Sequence, residues 1–184
     1  MASDHGHYGQ ILKFWFEEAG ESRWWAKDAA FDRLVADRFI DTHRAATRGE
    51  LFSWRSSARG RLAEVIVLDQ FSRNIYRNTP DAFAWDGMAL VLAQEAVAIG
   101  TDQVLAPVPR SFFYLPYMHS ESLLIHEQAL ALYQANGIAS GLEFEIRHRD
   151  IIARFGRYPH RNAILGRESS PQEIEFLKQP GSSF

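Results

Sequence analysis

Leu62-Ala63-Glu64-Val65-Ile66-Val67-Leu68-Asp69-Gln70-Phe71, residues 62–71, decides the fold class. Its centre, Val65 to Leu68, is the only strand-like run in the chain. The wider pattern is helical: Leu62, Val65, Ile66, Leu68 and Phe71 recur near a 3.6-residue period rather than alternating. Ser56 or Ser57 can cap the start of this helix. Gly60 falls in its first turn, where a glycine costs less than in the interior, and the helix is expected to end near Tyr76.

The same signals recur on both sides. Ile11, Leu12, Trp15 and Phe16 form a helical stripe ended by Gly20. Asp28 is placed to cap a long helix running to about Arg48, with Phe31, Leu34, Val35 and Phe39 inward. Thr79-Pro80 is a cap followed by an N1 proline, opening a helix to Gly100 in which Gly87 is a kink or the true start. Residues 101–110 read as a loop. A helix follows from near Ser111 to Ala135, with Pro116 able to split it. Gly141 to Phe155 is the next helix, and Pro159 to Leu165 one or two further turns. Ser170-Pro171-Gln172-Glu173 approaches a capping box. The expectation is an all-α fold of seven to eight helices in antiparallel pairs. It is a single domain over residues 1–184, with a flexible leader at 1–9 and a docking helix at 170–178.

Bulk properties remove whole classes of function. The 184 residues are 46% hydrophobic and 23% charged, ordinary for a folded domain. Net charge is −3, so no global basic field for nucleic acid exists. There is no cysteine, which excludes a disulfide scaffold, a thiolate metal site and a Cys nucleophile. The longest apolar run, Met88 to Ala93, falls far short of the roughly 18 residues that span a membrane. Met1 to Gln10 lacks a signal-peptide core, and a cytoplasmic protein is expected. No cofactor is indicated.

Three polar stretches stand out. In the first, Gln70, Arg73, Asn74 and Arg77 share a helix face at i, i+3, i+4, i+7, a row of donors suited to an anion or a peptide carbonyl; the plainer reading is a solvated face with an Asp69–Arg73 pair. The second is His119-Ser120-Glu121. Residues i and i+2 point about 200° apart on a helix, and His126 lies too far along it, so no metal site is expected here. The third runs from His148 to Asn162. Residues 147–167 hold six Arg against one Asp. Arg154, Arg157, His160, Arg161 and Asn162 crowd a break at Gly156 and Pro159. Arginine forks suit carboxylate or phosphate. The competing reading is that they tie helices together through buried Asp and Glu. His148-Arg149-Asp150 echoes a kinase catalytic loop, but the required Asn is Phe155 here and no phosphate loop accompanies it.

Leu68-Asp69-Gln70-Phe71-Ser72-Arg73-Asn74, His119-Ser120-Glu121 and the run from Arg154 to Asn162, followed by Leu165-Gly166-Arg167, resemble the signature of a widespread bacterial "domain of unknown function" family. The resemblance extends from about Ile11 to Leu177. It implies a TPR-like array of helix pairs and carries over no catalytic residue.

Three functions compete. The first is a non-enzymatic TPR-like binding module, with Gln70, Arg73, Asn74, Arg154, Arg157, His160, Arg161 and Asn162 presented to a small anion or peptide carboxylate. The second is a hydrolase- or transferase-type enzyme on a phosphorylated or carboxylated metabolite. Its acid/base would be His119 or His160, oriented by Glu121 or Glu127. The third is a structural homo-oligomer whose face is Trp24, Trp25 and Trp54.

Overall fold

The computed structural model describes residues 7–183. Within them the chain is helical, and no strand occurs among the described residues. The elements are α1 (Tyr8–Lys13), α2 (Glu21–Trp24), α3 (Ala29–Thr47), α4 (Ala58–Ile66), α5 (Ser72–Ile75), α6 (Asp86–Ala98), α7 (Pro107–Met118), α8 (Leu123–Asn136), α9 (Ala139–Phe155) and α10 (Pro171–Leu177). Two widened, π-type turns extend helices without interrupting them: Phe14–Ala19 after α1 and Val67–Phe71 between α4 and α5.

The run read from sequence as decisive is the axis of the fold. Residues 62–72 are all buried, so this helix is covered on every side. It packs on α1, α6 and α7, while α3 lies against the π-turn and α5. Phe71 stacks on Phe39 and meets Trp15 edge to face, and Trp15 in turn meets Phe112. Two features make an all-buried helix tolerable. Glu64 is held by both donors of Arg55 at 2.7 Å. Gly60 lets the preceding turn (Phe52–Ser56) cross directly over α4, since a Cβ there would collide with the Trp54 carbonyl oxygen.

α7, α8 and α9 pack successively. The residues between α8 and α9 are only Gly137 and Ile138, so those two helices must run antiparallel. A second, smaller cluster of Ile151, Ile152 and Tyr158, joined by Phe155 and Phe176, seats α10 on the end of α9. Gly156, at φ 68°, turns the chain out of α9 in the left-handed conformation that a glycine adopts freely.

Several boundaries differ from the sequence expectation. The leader falls mainly on residues 1–6, outside the described ones; α1 begins at Tyr8, capped by His7. The helix expected from Pro80 is a short 3-10 turn, and α6 begins only at Asp86. α7 starts at Pro107, and Pro116 sits inside it. The break comes instead at residues 119–122, where tertiary contacts hold a turn. Leu34 is exposed rather than inward. Of the three tryptophans considered for a self-association face, Trp54 is 8% exposed and Trp24 half-buried, leaving Trp25 at 61%. No helix among the described residues is long and apolar enough to cross a membrane.

Candidate functional site

A cavity of about 320 Å³ opens where the chain after α5, the start of α6, the end of α7 and the loop after α9 meet. Its walls are apolar, formed by Pro80, Phe83, Leu90, Pro116 and Leu165. Its polar side is His119, Ser120, Glu121, Asp86 and Arg161.

The polar side rests on Asp69, 1% exposed on the π-turn. Its Oδ1 lies 2.7 Å from His119 Nδ1 and 3.2 Å from Arg73 Nη1, and its Oδ2 accepts from Gln70 Nε2 at 2.6 Å. Burial alone would raise this carboxyl. Arg73 and His119 outweigh burial and hold it well below the usual carboxylate range. An ionised Asp69 can only accept, so the proton between the two residues belongs to His119 Nδ1. Burial and the Arg73 guanidinium keep the imidazole itself below its ordinary value, against the pull of Asp69. His119 is therefore neutral near pH 7, and its basic lone pair is on Nε2.

The turn carrying His119 is gripped at four consecutive residues. Tyr158 Oη donates to the Met118 carbonyl. Arg161 Nη2 donates to the His119 carbonyl at 3.0 Å. His126 Nε2 donates to the Ser120 carbonyl at 2.9 Å, while its Nδ1 meets Glu145 at 2.6 Å. Glu121 accepts from the Tyr158 amide at 2.8 Å and from both ends of the Arg167 fork. These contacts hold the turn and so the orientation of the imidazole, while Asp69 alone fixes its tautomer.

Arg161 is the cation of the cavity, 6% exposed. Its guanidinium carbon lies over both the Phe83 and the Tyr158 rings, 4.6 Å from each centroid. The donors of a guanidinium lie in its plane. One Nη meets the His119 carbonyl, the other reaches Asp86 Oδ2 at a long 3.4 Å, and buried Nε has no partner. Asp86 is already held by both donors of Arg73, at 2.8 and 3.0 Å. Burial and then Arg73 accordingly lower the Arg161 pKa, only partly offset by Asp86.

The sequence candidates divide. His119, Glu121 and Arg161 line the cavity, and Arg73 stands behind it through Asp69 and Asp86. Gln70 is a support of Asp69. The donor row breaks at the π-turn: Asn74 and Arg77 turn away to Asp32 on α3. Arg157 clamps Glu173 of α10 with two bonds and the Glu168 carbonyl with a third. Asn162 bonds Ser169 and Arg167. Arg154 is exposed, lying over Phe155 and Phe176. Asp150 meets the neighbouring Arg149. His160 packs against Tyr158, and burial pushes its imidazole down to about 3. Glu127 bonds Arg149, away from both histidines. Asp86, Phe83 and Tyr158 were not legible as site residues, because nothing local marks them. Among the described residues, no three His, Asp or Glu side chains converge as metal ligands.

Comparison with known proteins agrees with this architecture. The chain resembles, with TM-score 0.89 and 44% identity, the structure of a protein of unknown function, ATU0120, from Agrobacterium tumefaciens; the match covers 93% of this chain and 96% of that one. No curated protein matches. The family model for "Bacterial protein of unknown function (DUF924)" matches residues 11–181, and the chain belongs to that family.

Proposed function

We propose that the cavity at His119 is a small-molecule acid–base site for a metabolite bearing a carboxylate or phosphate. The carrying observation is the His119–Asp69 contact at 2.7 Å beside a cavity that Arg161 also lines. Asp69 holds the imidazole in one tautomer and stabilises the imidazolium formed when Nε2 takes a proton. Arg161, stacked and incompletely paired, supplies in-plane donors for the anionic group. The enzyme reading is favoured over a broad binding groove because Asn74, Arg157 and Asn162 are committed to other side chains. The setting is a cytoplasmic, single-domain protein acting on small anions.

The test is turnover. Pools of phosphorylated and carboxylated metabolites are incubated with the protein and with His119→Gln, and followed by NMR. Expected is consumption of one compound by the wild type and none by the folded variant. A compound that binds both proteins with no turnover would instead make the protein a binding module.

A further inference from the structure

The polar side of the cavity offers few open positions. Asp86 carries Arg73 and Arg161, and Glu121 carries Arg167 and the Tyr158 amide. What remains for a ligand is the lone pair of His119 Nε2, the Ser120 hydroxyl, which only accepts from the Ser122 amide, and the in-plane donors of one arginine. A guanidinium has five N–H groups, and Arg161 directs only two at protein acceptors. There is no second cation on the lining. The rest of the wall is hydrocarbon, and about 320 Å³ is near the lower limit for small-molecule sites.

Gly87 adds a second observation. It lies in the first turn of α6, lines the cavity and is exposed, so it sits at the mouth. A Cβ built there meets no atom within 4 Å. No contact or positive φ requires glycine, which is a poorer helix former than alanine. Gly87 shares the cavity-lining face of α6 with Asp86 and Leu90, one turn from each other along the helix, and Phe83 lines the same wall.

Resting on the reading of His119 and Arg161 as an anion site, we infer that the substrate is a small monocarboxylic acid with a short hydrocarbon body. Its carboxylate lies against the in-plane donors of Arg161, its body runs along Phe83 and Leu90 past the His119 Nε2 lone pair, and Gly87 sets the length admitted. A nucleotide or polyphosphate lacks the counter-charge and the room it would need.

The test is a calorimetric titration of acetate, butanoate and hexanoate, with inorganic phosphate alongside, into the wild type and Gly87→Leu. Each buried methylene is worth about fourfold in affinity, so hexanoate is expected to bind the wild type at least tenfold more tightly than acetate. Gly87→Leu, with an unchanged melting temperature, is expected to erase most of that ratio. Equal affinity across the series, or a ratio untouched by Gly87→Leu, overturns the inference. Binding of phosphate without any carboxylate overturns it while leaving the anion site intact. If neither phosphate nor any carboxylate binds, the anion site itself fails.

Discussion

His119 Nδ1 lies 2.7 Å from Asp69 Oδ1 although 50 residues separate them. One residue sits on a widened turn of the buried central helix and the other on the turn that ends α7. Asp69→Asn tests what this contact does. The amide keeps the shape but removes the charge that counters Arg73. Stability is expected to fall by about 2 kcal/mol, since a buried charged hydrogen bond is weakened without opening a cavity. The His119 imidazole is expected to titrate at a still lower pH, because Asp69 is the group that raises it. NMR of the His119 ring protons against pH reads both tautomer and titration; an unmoved titration would remove Asp69 from the site.

Tyr158→Phe separates holding the turn from folding. The hydroxyl donates to the Met118 carbonyl, and the ring stacks on Arg161. Losing the hydroxyl alone is expected to cost about 1–2 kcal/mol, with the stack preserved. Hydrogen exchange at residues 118–121 is expected to quicken relative to α4. Uniform acceleration everywhere would mean that the bond serves global stability only.

Gly60→Ala inverts the usual helix rule. Alanine is the better helix former, yet its Cβ would collide with the Trp54 carbonyl oxygen. A loss of about 1–3 kcal/mol is expected from the forced separation of the preceding turn and α4. A variant as stable as the wild type in urea would show that the turn relaxes freely.

Stability should fall as pH is lowered from 7 to 4. Burial pushes His43 down to about 4 and His148 and His160 down to about 3, from 6.5 when unfolded. Between those values the unfolded chain binds more protons, so each histidine's contribution is complete above 6.5 and lost below it. At pH 5 this amounts to up to about 2 kcal/mol per histidine. Glu173, held down at about 2 by Arg157, extends the loss below pH 4.5. Glu145, raised by burial, works in the opposite sense. Melting temperatures at pH 7.5, 6, 5 and 4 read the slope; a flat line down to pH 5 would contradict the buried, neutral histidines.

Docking of α10 rests on Glu173, which accepts both Arg157 donors and closes the capping box with Ser170. Ser170→Ala is expected to cost about 1 kcal/mol. Glu173→Ala is expected to cost more, because it also releases Arg157. Limited proteolysis after α9 measures the release; equal cleavage of the two variants would assign the docking to Phe176 alone.

Local chemistry made much of this fold legible. Periodicity identified the central helix despite its strand-like middle, and Asp28, Ser57 and the Ser170 box cap helices as their spacing implied. Caps and periods act within a few residues, so the chain declares them directly. Partner choice does not work that way. Arginine, the same residue type throughout, clamps α10 at 157, floats over rings at 154 and lines the cavity at 161. Which carboxylate each one meets depends on helices brought together by the core: Arg161 and Asp86 are 75 residues apart, and Arg73 and Asp86 are 13. The Asp69–His119 contact exists because burial of residues 62–72 sets Asp69 beneath His119. Burial is a property of the packed molecule, and it also decides which histidine keeps a usable lone pair.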